Sequence, residues 1–190
     1  RNERRFKIKR TRLKVTKFSI MIISELLKTG SKILKAGKVQ THQLDSEIIL
    51  SGLLKKKREQ IIINSDKKVS KNTINNFYKL INRRSSREPL AYILKNKEFW
   101  SKNFFVNKNT LIPRPETELL CDIIIKTIKN KKFYVLDIGT GTGCILLSIL
   151  SEAKKAKGMG IDISKKAIEV ARKNSSILRL DKRAKFFTKS

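Results

Sequence analysis

Phe133–Gly143 reads Phe-Tyr-Val-Leu-Asp-Ile-Gly-Thr-Gly-Thr-Gly. An apolar run ends in an acid and passes at once into three alternating glycines. Such a run predicts a buried parallel strand leading into a tight loop and then a helix. Gly139, Gly141 and Gly143 lack Cβ atoms, so the loop can take φ > 0 and a ligand can approach its backbone closely. The helix expected from Cys144 to about Ala153 presents unpaired N–H groups at its start. About 20 residues further on, a second short apolar run, Met159-Gly160-Ile161, ends in Asp162. An acid at that place can accept both hydroxyls of a ribose, the logic of nucleotide-binding βαβ units.

Dinucleotide sites usually carry G-x-G-x-x-G, whose last glycine allows close helix–strand packing. Here the glycines alternate strictly and Asp137 closes the strand before them. That pattern resembles motif I of the class I S-adenosylmethionine-dependent methyltransferases. In that family the loop wraps the methionine and ribose parts of a cofactor that has no pyrophosphate. Taken alone, the loop leaves open a dehydrogenase and a glycine-rich turn in an unrelated α/β protein.

Working outward, Ala156–Asp162 is expected as a second strand, Lys165–Asn174 as a helix with Ser164 at its N-cap, and Ala184–Phe187 as a third strand. Upstream, Ile20–Thr29 has helical spacing and stops at Gly30, a candidate C′ residue. Thr41–Leu54 places Leu44, Ile48 and Leu53 on one side of a helix, and Lys55–Arg58 reads as its solvated end. Asn72–Arg84 sets Ile74, Phe77, Tyr78 and Ile81 at amphipathic helical positions. Glu88–Val106, rich in aromatics, has the alternation of a hairpin. Pro113 and Pro115 hold Thr110–Glu118 extended before a helix from about Glu116, with Glu116 and Glu118 suited to its dipole. The expected domains are therefore a basic tail over 1–20, a helical domain over 21–86, a linking hairpin over 87–112 and a partial cofactor-binding domain over 113–190.

The chain carries 45 basic against 16 acidic residues, a net charge of +29. Such a surface attracts nucleic acid, acidic proteins or anionic lipid. The excess is mostly Lys in a chain also rich in Ile and Asn, which an AT-rich genome produces without selection for binding; both origins stay open. Cys121 and Cys144 have no CxxC partner and His42 is the sole histidine, so neither a disulfide framework nor a metal site is expected. That fits a reducing, cytoplasmic setting, with Cys144 a small packing residue beneath the loop. No apolar run is long enough to span a bilayer, and no membrane partner is expected. Arg1–Lys17 reads as an upstream extension ahead of a start at Met21, with an organellar presequence as the alternative.

The order Arg87-Glu88-Pro89-Leu90-Ala91-Tyr92-Ile93, then Glu98-Phe99-Trp100, then Leu111-Ile112-Pro113-Arg114-Pro115-Glu116-Thr117-Glu118 ahead of motif I closely resembles the release factor glutamine methyltransferases. Leu44-Asp45-Ser46-Glu47-Ile48 is similar to that family's amino-terminal helical domain. The resemblance runs from about Met21 onward. It implies an α/β, Rossmann-like class I methyltransferase domain, C-terminally truncated, preceded by a small all-helical domain that recognises substrate and a β-hairpin linker. It implies S-adenosyl-L-methionine as cofactor, bound by Gly139, Thr140, Gly141, Thr142, Gly143 and Asp162. Phe99, Pro113, Arg114, Pro115, Glu116 and Thr117 would border the methyl-transfer pocket. The implied reaction is N5-methylation of the glutamine in the Gly-Gly-Gln loop of peptide chain release factors, by a monomer whose charge adds weak non-specific nucleic-acid binding. The family's Asn-Pro-Pro-Tyr motif has no match in the 190 residues, so the catalytic residues stay unknown and this chain is expected to be an inactive fragment. Lys95 and Ser101 stand where the family more often has glycine. The rival expectations are a methyltransferase acting on RNA or DNA base amino groups, and a non-catalytic basic RNA-binding remnant.

Overall fold

The computed structural model describes residues 20–128 and 132–189, so almost all of the expected basic tail lies outside the described residues. The described chain divides between Ser85 and Ser86 into two compact units.

In the first unit, strand β1 (Met21–Ile22) pairs antiparallel with β2 (Lys68–Val69). Helices α1 (Ile23–Ala36), α2 (His42–Leu54), α3 (Arg58–Ile63) and α4 (Lys71–Ser85) supply the rest, with α1 packed on both α2 and α4. The core is built from Leu26, Leu34, Ile49, Leu50, Ile61, Ile74, Phe77 and Ile81. Gly30 is not the helix terminus expected of it: α1 runs on to Ala36. A Cβ at Gly30 would lie 2.6 Å from the Phe77 ring and 2.7 Å from Ser46 Oγ, so the glycine is there to let α4 and α2 approach α1. That close packing offsets the roughly 1 kcal/mol a mid-helix glycine costs.

The buried face of α2 also differs from the expected one. It is formed by Asp45, Ser46, Ile49 and Leu50, while Leu44 is exposed. Apolar residues surround most of this helix, so spacing alone could not choose its inner side. Its rotation goes with polar contacts: Asp45 meets Arg84 at 2.6 Å, and Ser46 Oγ donates to the Leu27 carbonyl at 3.1 Å. Helix α3 begins at the end of the charge run Lys55–Arg58 and buries Ile61.

The second unit opens with α5 (Leu90–Leu94), which corrects the first part of the expected hairpin; only β3 (Lys97–Phe99) and β4 (Lys102–Phe104) pair. Their turn holds Trp100 and Ser101 at φ 52° each, and Lys95 ends α5 at φ 55°. These are left-handed conformations that favour glycine. A 3-10 turn at Pro115–Thr117 leads into α6 (Glu118–Ile128). Then come β5 (Tyr134–Ile138), α7 (Cys144–Glu152), β6 (Lys157–Asp162), α8 (Lys165–Ile177) and β7 (Ala184–Thr188). The three strands form a parallel sheet in the order β5-β6-β7, with Asp137 beside Gly160 and Gly160 beside Phe186. Ser164 Oγ accepts from the Ala167 N–H at 3.2 Å, the N-cap read from the sequence.

Helices α7 and α8 cover one face of the sheet, where Gly158, Gly160, Ala184 and Phe186 are buried. Leu136 is 53% and Ile138 75% exposed on the other face, so the strand expected to be wholly buried is covered on one side only among the described residues. A parallel strand is buried on both faces only where helices pack on both. Phe99 and Phe104, from the expected linking hairpin, join Cys121, Ile128, Leu146 and Leu147 in this unit's core. Arg183 closes the end of α7 by donating to the carbonyls of Leu150 (2.6 Å), Ala153 (2.9 Å) and Ala156 (3.1 Å).

Candidate functional site

The turn between β5 and α7 is shaped by three left-handed glycines: Gly139 at φ 74°, Gly141 at 54° and Gly143 at 78°. They serve two purposes. A Cβ at Gly139 would meet nothing within 4 Å, so that side of the loop is open to a ligand. A Cβ at Gly143 would crowd Leu147, Ala171 and Phe186 at 3.1–3.3 Å, so this glycine seats the start of α7 on the sheet and on α8.

Main-chain bonds tie the turn to the neighbouring strand. The N–H groups of Gly139 and Thr140 both donate to the Ile161 carbonyl at 2.9 Å, and the Gly143 N–H donates to the Thr140 carbonyl at 2.8 Å. Asp162, at the tip of β6, brings its carboxylate directly against the loop. Its Oδ2 accepts from the Gly141 N–H at 3.0 Å and its Oδ1 from the Ser164 N–H at 2.9 Å. The five loop residues and Asp162, expected from the sequence to act together, are thus in one place.

Asp137 anchors the base of the loop, accepting from Thr140 Oγ1 at 2.7 Å and from the Leu146 N–H. Burial holds its carboxyl above the ordinary value of 3.8, while those hydrogen bonds pull the other way. Cys144 is buried and its thiol is pushed up to about 11 by burial, as suits a packing residue and not a nucleophile. Cys121 is likewise buried and pushed up to about 12.

The expected pocket residues occupy two environments. Phe99 is 1% exposed and meets Phe104 edge-on within the core. Pro113 is buried, Arg114, Pro115 and Glu116 are exposed, and Thr117 is half-buried. The helix that follows is fixed to the hairpin by Glu118, whose Oε1 accepts from the Trp100 N–H at 2.8 Å. One further residue touches the loop without belonging to any motif of the sequence. Asn174, fully buried on α8, donates through Nδ2 to the Thr142 carbonyl at 2.9 Å. The available signal was an amide on the apolar face formed by Ala167, Ile168, Val170 and Ala171.

A parallel βαβαβ unit with an alternating-glycine turn, an acid before it and a second acid at the next strand tip defines a class I methyltransferase domain, the class that uses S-adenosylmethionine. The family model described as a methyltransferase domain matches residues 129–189, and the one described as the PrmC N-terminal domain matches residues 25–94. A release factor glutamine methyltransferase of Buchnera aphidicola subsp. Baizongia pistaciae is 43% identical over 163 residues, covering 84% of this chain and 58% of its own length. One from Caulobacter vibrioides is 38% identical over 152 residues, 80% of this chain and 53% of its own. A bifunctional methyltransferase of Rickettsia felis is 35% identical over 178 residues, 79% of this chain and 34% of its own. The chain is accordingly a relative of the release factor glutamine methyltransferases, and it spans a little over half the length of those it matches.

Proposed function

We propose that the whole protein transfers a methyl group from S-adenosylmethionine to the side-chain amide nitrogen of the glutamine in a release factor's Gly-Gly-Gln loop. The observation that carries this is the Asp162 carboxylate held against the Gly141 N–H, an acid and a bare main chain presented side by side. The residues fit the cofactor. Gly139 leaves the loop open, and Asp162 suits ribose hydroxyls. When bound, the cofactor supplies an electrophilic methyl on a positively charged sulfur. Gly139–Gly143 position its nucleoside through the main chain, and Asp162 fixes the ribose.

An amide nitrogen is a poor nucleophile because its lone pair is delocalised, so orienting acceptors are the main catalytic device for this reaction. The exposed Arg114–Glu116 segment and its neighbours Pro113 and Thr117 border the transfer pocket, and Phe99 shapes it from within the core. The 190 residues hold no Asn-Pro-Pro-Tyr motif to orient the amide, and on this reading they transfer no methyl by themselves.

The test is methyl incorporation from labelled cofactor by the whole protein, offered release factor and bulk RNA in parallel. Label on the Gly-Gly-Gln glutamine supports the reading. Label on RNA alone replaces it with base methylation, which the charge of +29 would favour. Salt-dependent RNA binding without cofactor uptake replaces it with a non-catalytic remnant.

A further inference from the structure

Asn174 joins three parts of the second unit with a single side chain. Its Oδ1 accepts from the Phe105 N–H at 2.7 Å, and its Nδ2 donates to the Phe105 carbonyl at 3.0 Å and the Thr142 carbonyl at 2.9 Å. Both amide protons and an acceptor lone pair are in use, and the residue has 0% exposure. Phe105 lies just past the end of β4, where the hairpin ladder has stopped. There the amide does for Phe105 what a neighbouring strand would do, satisfying both its N–H and its carbonyl. Thr142, the third partner, is the residue between Gly141 and Gly143.

The same region is braced in two further places. Lys173, adjacent in sequence, places its Nζ 3.6 Å from the centre of the Phe105 ring. Tyr92 Oη donates to the Thr110 carbonyl at 2.7 Å, holding the chain that continues from Phe105 towards Pro113. The glycine loop and the start of the segment leading to Pro113–Thr117 therefore share one buried amide. A glycine-rich loop has little stiffness of its own. Its shape comes from what grips it: the Ile161 carbonyl and Asp137 at the base, Asp162 at one side and Asn174 at Thr142.

We infer that Asn174 is a positioning residue for methyl transfer, setting the cofactor loop in register with the chain that leaves the hairpin for the substrate side of the site. It touches neither cofactor nor substrate and acts through Thr142 and Phe105. This inference rests on the reading of the loop as a cofactor site. Asn174→Ala removes all three bonds. Asn174→Asp keeps the acceptor for the Phe105 N–H but turns its second carboxylate oxygen, in place of Nδ2, towards two carbonyls, so the grip on Thr142 is lost.

The experiment compares the whole protein with Asn174→Ala, Asn174→Asp and a control, Arg183→Ala, which loosens the end of α7 without touching the loop. Thermal melting without ligand ranks their stabilities, and titration with S-adenosylmethionine well below each melting temperature gives cofactor affinity. Cofactor affinity is expected to fall about tenfold in both Asn174 variants, the equivalent of about 1.4 kcal/mol, and to be unchanged in the control. Where methyl transfer is measured, kcat should fall together with the rise in the cofactor's KM. Asn174 variants that lose thermal stability but bind cofactor as the parent does, or a control that loses affinity equally, overturn the inference and leave the cofactor site standing. A parent protein that binds no cofactor overturns the site reading itself, and the inference with it. Should Asn174→Asp fail to fold, Asn174→Ala with the control decides the matter alone.

Discussion

Gly160 sits in the middle of β6, beneath the glycine loop, and its substitution by alanine probes how tightly sheet and loop are fitted. A Cβ there would lie 2.6 and 2.7 Å from two atoms of the Phe186 ring and 2.7 Å from Thr140 Oγ1. Carbon contacts settle at about 3.5–4.0 Å, so roughly 1 Å of overlap must be relieved. Phe186 is buried in the core and cannot swing out, which puts the overpacking cost at about 1–3 kcal/mol. Relief through Thr140 would disturb its bond to Asp137, at about a further 1 kcal/mol. The expected loss for Gly160→Ala is thus about 2–4 kcal/mol, read by urea denaturation followed by circular dichroism.

Gly158→Ala is the matched comparison, because its Cβ would meet Leu146 at 2.5 Å and the Val135 carbonyl at 2.7 Å, away from the loop. Both variants should lose stability, and only Gly160→Ala should also weaken S-adenosylmethionine binding in the folded state. A Gly160→Ala protein within about 0.5 kcal/mol of the parent would show that the sheet has room for the extra methyl. Equal effects of the two variants on the cofactor would show that the Gly160 contacts do not act through the loop.

Three further outcomes are expected. Lys95→Gly and Ser101→Gly, at exposed positions held at φ 55° and 52°, should each stabilise the second unit by about 0.5–1 kcal/mol, read as a rise in melting temperature. Asp137 has a folded pKa above its unfolded value, so the native state binds more protons between the two. Its contribution to stability therefore falls as pH rises through that window. Asp137→Asn should remove this fall, and a parent and variant with parallel stability–pH curves from about pH 4 upward would contradict the assignment. With thiols pushed up to about 12 and about 11, Cys121 and Cys144 should resist alkylation at pH 8 until the protein is unfolded in denaturant; rapid labelling of the native state would disprove their burial.

Much of the second unit was legible from local chemistry. The alternating glycines, Asp162 and the Ser164 cap each express a short-range rule, and the structure realises all three within one turn and two strand ends. What was not legible depends on partners distant in sequence. Gly30 looked like a helix terminus because a glycine lacks a side chain whichever reason places it there, and only Phe77 and Ser46 reveal the close approach. The inner face of α2 was hidden because Ile48, Ile49, Leu50, Leu53 and Leu54 make the helix apolar on several sides. The α5 turn was lost inside an aromatic-rich stretch whose alternation holds only from Lys97. The sequence spacing ends the helix at Asn174, whereas it continues to Ile177, and the three bonds of Asn174 reach 69 and 32 positions away. The exposed side of β5 follows from which helices are present to cover it, and an apolar run carries no record of that.

On the proposed reading, Gly139–Gly143 and Asp162 grip a sulfonium nucleoside. Isothermal titration of S-adenosylmethionine into the whole protein and into its Asp162→Asn variant measures that grip. Saturable one-to-one uptake is predicted, weakened about tenfold or more when one of the two carboxylate oxygens becomes an amide nitrogen. No uptake by the parent, or uptake that Asp162→Asn leaves unchanged, would contradict it.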